Sequence, residues 1–342
     1  MKNFWNPRKS LSIVLNMKLA TLKSKTSLDG ELVIVNKNLT LAVKTQGIAS
    51  NFREAMENWE SVKPKLEALS TQINAGQCAQ AFPFNQEEVG ACVPRTFLFA
   101  DGSAYIQHVK LVRMARKAPM PETLETVPLI YQGECSRFLA PTEDIPQIDF
   151  SHGTDFEGEV GVVTGFVPMG ASPEEALKAI RFVLLINDVS LRGLIPAELA
   201  AGFGFFQSKP ASALSPVCVS IDELGEAWQQ GRVHLPLLVK YNDQFFGEAN
   251  AKEMHFHFGQ IVSHVARTRD LQPGSIIGSG TVSNEDSTKG SSCLAEKRML
   301  EQINQGEMKT PFMKVGDTVT MEMLDAQGHS IFGRIHQKVV QK

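Results

Sequence analysis

The stretch Asp155-Phe156-Glu157-Gly158-Glu159-Val160-Gly161-Val162-Val163 sets two carboxylates at the head of an apolar, β-branched run. Valines alternating with glycines read as a strand, and strand residues two apart point to the same face. Glu157 and Glu159 would then project side by side, where their charges repel unless a proton or a cation lies between them. A hard divalent ion such as Mg²⁺ is the natural occupant, because it takes oxygen ligands. The alternative is a solvated strand face, and the rest of the chain has to decide between the two.

Composition narrows the class. At 342 residues the chain is long enough for two domains, or for one large domain with an appendage. A hydrophobic fraction of 43% and a charged fraction of 21% are those of a soluble globular enzyme. Lysines and arginines number 34 against 37 acidic residues, a net charge of −3, so the basic footprint of a nucleic-acid binder is missing. Cys78, Cys92, Cys135, Cys218 and Cys293 form no C-x-x-C pair, which predicts reduced thiols in the cytoplasm rather than a disulfide frame or zinc site. Residues 1–16 hold Lys2, Arg8 and Lys9 ahead of a brief apolar stretch. They lack the roughly 7–15 apolar residues and small-residue cleavage site of a secretory signal. They read as a loose tail or an over-long start, with Met17 as an alternative start. No apolar run approaches the roughly 18 residues of a membrane span, so no membrane partner is expected.

Along the chain, Leu32 to Val35 and Leu39 to Val43 flank Asn36-Lys37-Asn38 and predict a small antiparallel hairpin. Phe52, Met56, Trp59, Val62, Leu66, Leu69 and Ile73 then recur at helical spacing, with Pro64 expected to kink or break the helix. Residues 76–98 are rich in turn formers and read as a linker. This divides the chain into a small N-terminal domain with linker, 17–95, and a larger domain, 96–342. Ser172-Pro173-Glu174-Glu175 opens a helix that the apolar pattern carries through Ile180 and Leu184 towards Asp188. Further strands are expected at 215–220, 234–240, 276–283, 318–323 and 331–339. Gly202-Phe203-Gly204-Phe205-Phe206 suits a flap over an apolar pocket. The fold class expected is α+β, mostly β, with no βαβαβ rhythm.

Four further segments concentrate polar residues. They are Asp101-Gly102-Ser103-Ala104-Tyr105-Ile106-Gln107-His108, Tyr131-Gln132-Gly133, Asn187-Asp188-Val189-Ser190-Leu191-Arg192 with Lys209 after it, and Gly278-Ser279-Gly280-Thr281-Val282 followed by Glu296. Together with the E-x-E pair they resemble the fumarylacetoacetate hydrolase family, which cleaves carbon–carbon bonds of dioxo acids with a divalent metal. The resemblance covers most of residues 95–342, and the front segment is compatible with the N-terminal domain of longer members.

The resemblance implies metal ligands at Asp101, Glu157, Glu159 and Asp188, holding Mg²⁺, with Ca²⁺ or Mn²⁺ as alternatives. It implies that His108, seven residues after Asp101, activates water with Glu296 as its partner, and that Arg192 and Lys209 stabilise the oxyanion and the leaving enolate. Ser103, Lys117, Tyr131 and Thr281 fall at substrate-binding positions. The chemistry suits these residue types. An imidazole is the right base near neutral pH, a carboxylate fixes its tautomer, and fixed cations and a metal stabilise developing negative charge.

Three positions depart from the pattern. Ile195 replaces a glutamine, Ser103 a tyrosine, and Lys117, with Arg116 beside it, an arginine. At Ile195 one oxyanion donor is missing or supplied from elsewhere. The changes at Ser103 and Lys117 touch recognition of the substrate's carboxylates, so they bear on the exact substrate more than on the reaction type. The expected substrate is fumarylacetoacetate, cleaved to fumarate and acetoacetate in tyrosine and phenylalanine degradation. Fumarylpyruvate or acylpyruvate hydrolase, oxaloacetate decarboxylase and hydroxy-dienedioate isomerase are the alternatives within the family. A non-catalytic binding protein is the alternative outside it. His108 favours the hydrolases. The resemblance further implies a mixed β-sheet roll around the metal, a smaller β-rich front domain and a homodimer.

Overall fold

The computed structural model describes residues 16–115 and 118–342. The expected tail therefore lies, apart from Asn16, outside the described residues, and so does Lys117. The N-terminal hairpin forms as expected, with Glu31–Val35 antiparallel to Leu41–Lys44 and Ile34 opposite Val43. Its turn is closed by the Asn36 side chain, which accepts the N–H groups of Thr40 and Leu41 at 2.9 Å.

One sheet spans both halves of the chain. Lys18–Leu22 pairs with the hairpin on one side and with Cys218–Ser220 on the other, Leu19 opposite Cys218. The order then continues through Ile180–Asn187, Gly158–Thr164, Ile276–Thr281 and Phe99–Gly102 to Ile130–Gln132. A second sheet orders Gln244–Asn250, Pro236–Tyr241, Thr318–Glu322, Ile335–Gln341 and Ile145–Gln147. Each strand expected after residue 214 thus has a counterpart. The 76–98 segment is no free linker. Ala91, Cys92 and Val93 are buried, and Gly90 donates to the Thr21 carbonyl at 2.9 Å.

Two local expectations are corrected. The helical stretch splits into Phe52–Glu57 and Trp59–Asn74, with the break at Asn58, while Pro64 sits inside the second helix. The helix capped by Ser172 has its capping box and Pro173 in the first turn, but it ends at Ala179. Ile180–Asn187 is instead a central strand. The reason is that its apolar run faces two cores at once. Val183 and Leu185 enter one hydrophobic cluster, and Phe182, Leu184 and Ile186 enter the other. A continuous apolar run of this kind fits a helix or a fully buried strand equally well by pattern, and sheet pairing decides. Asp188 therefore follows a strand end, not a helix C-terminus.

The N-terminal helices cover the sheet through aromatic contacts. Phe52 and Trp59 meet Phe182 edge-on, with ring centroids 5.8 and 5.4 Å away. Phe182 is wholly buried. Phe182→Ala is expected to cost about 3–5 kcal/mol, the range for deleting a buried aromatic ring. A urea titration reads it, and a loss below about 1 kcal/mol would mean these helices do not rest on that ring.

Candidate active site

The strand order brings three carboxylates to one point. Phe99–Gly102 runs parallel to Ile276–Thr281, with Asp101 opposite Gly278. That strand runs antiparallel to Gly158–Thr164, with Thr281 opposite Glu159, and Glu159 in turn pairs with Ile186 two residues ahead of Asp188. Asp101, Glu159 and Asp188 are buried and offer oxygens that all lie within 4.8 Å of one another. Gly278 makes this approach possible, since a Cβ there would stand 2.2 Å from Asp101 Oδ1 and 3.1 Å from Glu159 Oε2. Gly280, at φ 76°, donates its N–H to Asp101 Oδ1 at 3.1 Å.

The three are not equally satisfied. Asp188 accepts from Tyr131 Oη at 2.6 Å, Ser212 Oγ at 2.5 Å and Lys209 Nζ at 2.5 Å. Neither Glu159 oxygen meets an N–H or hydroxyl donor among the described residues, although both are buried. Burial, followed by the charges of Asp101 and Asp188, pushes the Glu159 carboxyl well above its ordinary range. Burial and the Asp188 charge push Asp101 up to about 8. An all-oxygen group with this deficit of positive charge fits a hard divalent cation.

Glu157, the fourth expected ligand, is joined to that group through Lys209, whose Nζ bridges it to Asp188. It precedes the strand and forms an isolated bridge with Cys293. Arg192 Nη2 and Lys209 Nζ each hold one of its oxygens at 2.6 Å. Burial opposes ionisation of Glu157, but Arg192 and Lys209 outweigh it and hold the carboxyl far below its ordinary range. Arg192 also donates from Nε to Asp155 at 2.9 Å. Lys209 adds a third bond, to Ser190 Oγ at 2.8 Å, so all three ammonium donors are engaged. In this arrangement Lys209 braces the acidic shell, and donation to a substrate requires it to release one partner.

The expected histidine pair is present. His108 lies on the helix Ile106–Ala115, and its Nδ1 is 2.7 Å from Glu296 Oε1 on the helix Leu294–Gln305. Its Nε2 lies 3.9 Å from Glu157 Oε1. A cavity of about 260 Å³ is lined by His108 and by Asp101, Glu157 and Glu159. Ser103, Tyr131 and Thr281 line it, as do Ile195 and Phe205 of the flap. Thr281 Oγ1 is buried with no partner, as a substrate-facing hydroxyl would be. Tyr131 spends its hydroxyl on Asp188.

Two supporting residues have no role in the sequence reading. Asp155 accepts from the N–H groups of Leu294 and Ala295 at 2.8 and 3.0 Å as well as from Arg192, so it ties the Glu296 helix to the Arg192 loop. Glu198 accepts from the N–H groups of Phe206, Gln207 and Ser208 at 3.1, 2.5 and 3.2 Å, and from Ser208 Oγ at 2.5 Å. It thereby anchors the loop that carries Phe205 and Lys209. Asp155 heads the carboxylate-rich stretch and was legible as a candidate; Glu198 carries no sequence signal.

Residues 98–340 match the model of the fumarylacetoacetate hydrolase C-terminal domain, and residues 17–95 match that of fumarylacetoacetase N-terminal domain 2. The chain belongs to the fumarylacetoacetate hydrolase family. A Burkholderia ambifaria relative is 27% identical over 200 residues, covering 57% of this chain and 65% of its own length. A 2,4-didehydro-3-deoxy-L-rhamnonate hydrolase from Sphingomonas is 29% identical over 161 residues, covering 46% of this chain and 54% of that protein. Among solved structures, maleylpyruvate hydrolase from Sphingobium sp. SYK-6 shares the fold at TM-score 0.63 and 14% identity, over 95% of this chain and 100% of that one. Among the described residues no helix is long and apolar enough to cross a membrane.

Two outcomes follow from the carboxylate group. Gly278→Ala should lower Mg²⁺ affinity about 10–100-fold in a folded protein, the scale for disturbing the support of a metal ligand. Unchanged affinity by calorimetry would place the cation elsewhere. Because Asp101 and Glu159 titrate above their ordinary values, the metal-free group retains protons at pH 7 that a cation must expel. Mg²⁺ binding should therefore release protons at pH 7 and strengthen as pH rises towards 8. Calorimetry in two buffers of different ionisation enthalpy reads this, and zero proton exchange would contradict it.

Proposed function

We propose that this protein is a divalent-metal-dependent hydrolase that adds water across a carbon–carbon bond of a dioxo acid, with fumarylacetoacetate as the particular substrate. The observation that carries this reading is the His108–Glu296 pair at 2.7 Å, with His108 lining the same cavity as Asp101 and Glu159 of the convergent carboxylates. Family membership and the hydrolase names of relatives support it, as does the Sphingobium maleylpyruvate hydrolase, whose structure holds manganese(II) and pyruvate.

Glu296 accepts from Nδ1–H, so Nε2 carries the lone pair on the cavity side. Nε2 takes a proton from water as the water oxygen bonds to the substrate carbonyl carbon. The adjacent carbon–carbon bond then breaks. Its electron pair passes to the departing half as an enolate, and the imidazolium returns the proton to the enolate carbon. A bound divalent cation, which Asp101, Glu159 and Asp188 would hold with Glu157 beside them, would supply Lewis-acid stabilisation of the developing enolate charge. Arg192 keeps Glu157 ionised and presents the guanidinium to the cavity wall.

Loss of the substrate's enol absorbance, with and without Mg²⁺, tests the reading. His108→Ala should lower kcat about 10²–10⁴-fold, the usual contribution of a positioned base. No turnover of any dioxo acid with metal present would remove the hydrolase assignment. Turnover that survives His108→Ala would favour the decarboxylase or isomerase reading.

A further inference from the structure

Three cationic side chains line the cavity: Arg113, Arg192 and Lys209. Two are already neutralised, Arg192 by Asp155 and Glu157, and Lys209 by Glu157 and Asp188. Arg113 pairs with no carboxylate among the described residues. Its Nη1 donates to the Pro119 carbonyl at 2.8 Å, which tethers the guanidinium to the segment following its helix. That bond uses Nη1, and the Nε–Nη2 edge meets no acceptor among the described residues; this edge can grip a carboxylate through two parallel hydrogen bonds.

Arg113 and His108 share the helix Ile106–Ala115. Five residues at 1.5 Å rise set them about 7.5 Å apart along the axis. Val109 and Val112, between them in sequence, line the cavity, and Leu129, Ile195, Leu199 and Phe205 make much of the remaining wall apolar. A ligand with its reacting carbonyl beside His108 can thus follow an apolar surface and end at an unneutralised cation. A plain acyl tail would leave that guanidinium without a counter-charge; a second carboxylate would pair it.

Resting on the hydrolase reading above, we propose that Arg113 is a specificity-determining residue that binds a distal carboxylate. The substrate is then a dicarboxylic dioxo acid, with a short apolar spacer between the cleaved bond and the second carboxylate. This assigns the role to neither Ser103 nor Lys117, the positions to which the family resemblance points.

Steady-state kinetics with saturating Mg²⁺ should compare fumarylpyruvate with crotonylpyruvate, which has the same carbon spacing and a methyl in place of the distal carboxylate. Arg113→Met should raise KM for the dicarboxylate about 10–100-fold, the scale of a hydrogen bond to a charged group, and leave kcat within about threefold. The crotonyl substrate should be unaffected. Arg113→Lys, which keeps the charge but loses the fork, should fall between, and it serves if the methionine variant does not fold. Lys117→Met should leave the preference intact. Equal losses on both substrates, or a preference abolished by Lys117→Met alone, would overturn the proposal. Binding of fumarate against crotonate, read by calorimetry, separates the two readings. A fumarate preference lost in Arg113→Met, with no turnover of any dioxo acid by wild type, fumarylacetoacetate included, keeps the carboxylate subsite and sinks the hydrolase. Turnover by wild type with no such preference sinks the subsite.

Discussion

Burying carboxylates is the constraint around which this molecule is arranged. Asp101, Asp155, Glu157, Glu159, Asp188 and Glu296 are all withdrawn from solvent near the same strand ends. A buried charge without a partner costs several kcal/mol, so each needs a proton, a cation or a set of donors. Arg192 and Lys209 neutralise Asp155 and Glu157, His108 meets Glu296, and Asp188 has three donors. What is left over is Asp101 with a single backbone N–H, and Glu159 with no N–H or hydroxyl donor among the described residues. The carboxylates short of donors are thus concentrated where the oxygens converge, which is where a divalent cation would restore the balance.

The surrounding chain is shaped by holding this arrangement. Gly278 clears the space that the Asp101 and Glu159 carboxylates occupy. Asp155 satisfies the first N–H groups of the helix bearing Glu296 while gripping Arg192, which in turn grips Glu157. The carboxylate partner of His108 and the acidic shell are therefore joined through Asp155. On the other side Glu198 gathers the loop N–H groups that precede Lys209, whose ammonium bridges Glu157 and Asp188. The flap, the lysine and the acidic shell form one hydrogen-bonded unit, and Phe205 closes it against the Tyr131 ring, with centroids 5.2 Å apart.

Much of the site was legible in the chain because its chemistry depends on residue type and spacing. The seven-residue interval from Asp101 to His108 carries the chain from a strand end onto the first turn of a helix. The E-x-E pair was legible as two carboxylates needing charge, but not as two carboxylates with different partners. Glu157 lies before the strand, within reach of Arg192 and Lys209, while Glu159 sits inside it among carboxylates. Pattern also misplaced Ile180–Asn187, since an apolar run buried on both faces has no period that distinguishes helix from strand. Glu198 was invisible for a different reason. Three of its four donors are backbone N–H groups, which every residue but proline supplies.

By itself the sequence determined the chemical inventory: which carboxylates, which imidazole, which cations, and the turn and capping signals that start the elements bearing them. Those follow from local covalent chemistry and short-range hydrogen bonding. The tertiary structure alone decided that Ile180–Asn187 pairs as a strand, that the N-terminal strands extend the same sheet, and that three of the acids converge while the fourth is claimed by Arg192 and Lys209. These outcomes depend on which distant segments share a buried, low-dielectric space, and only long-range pairing fixes that.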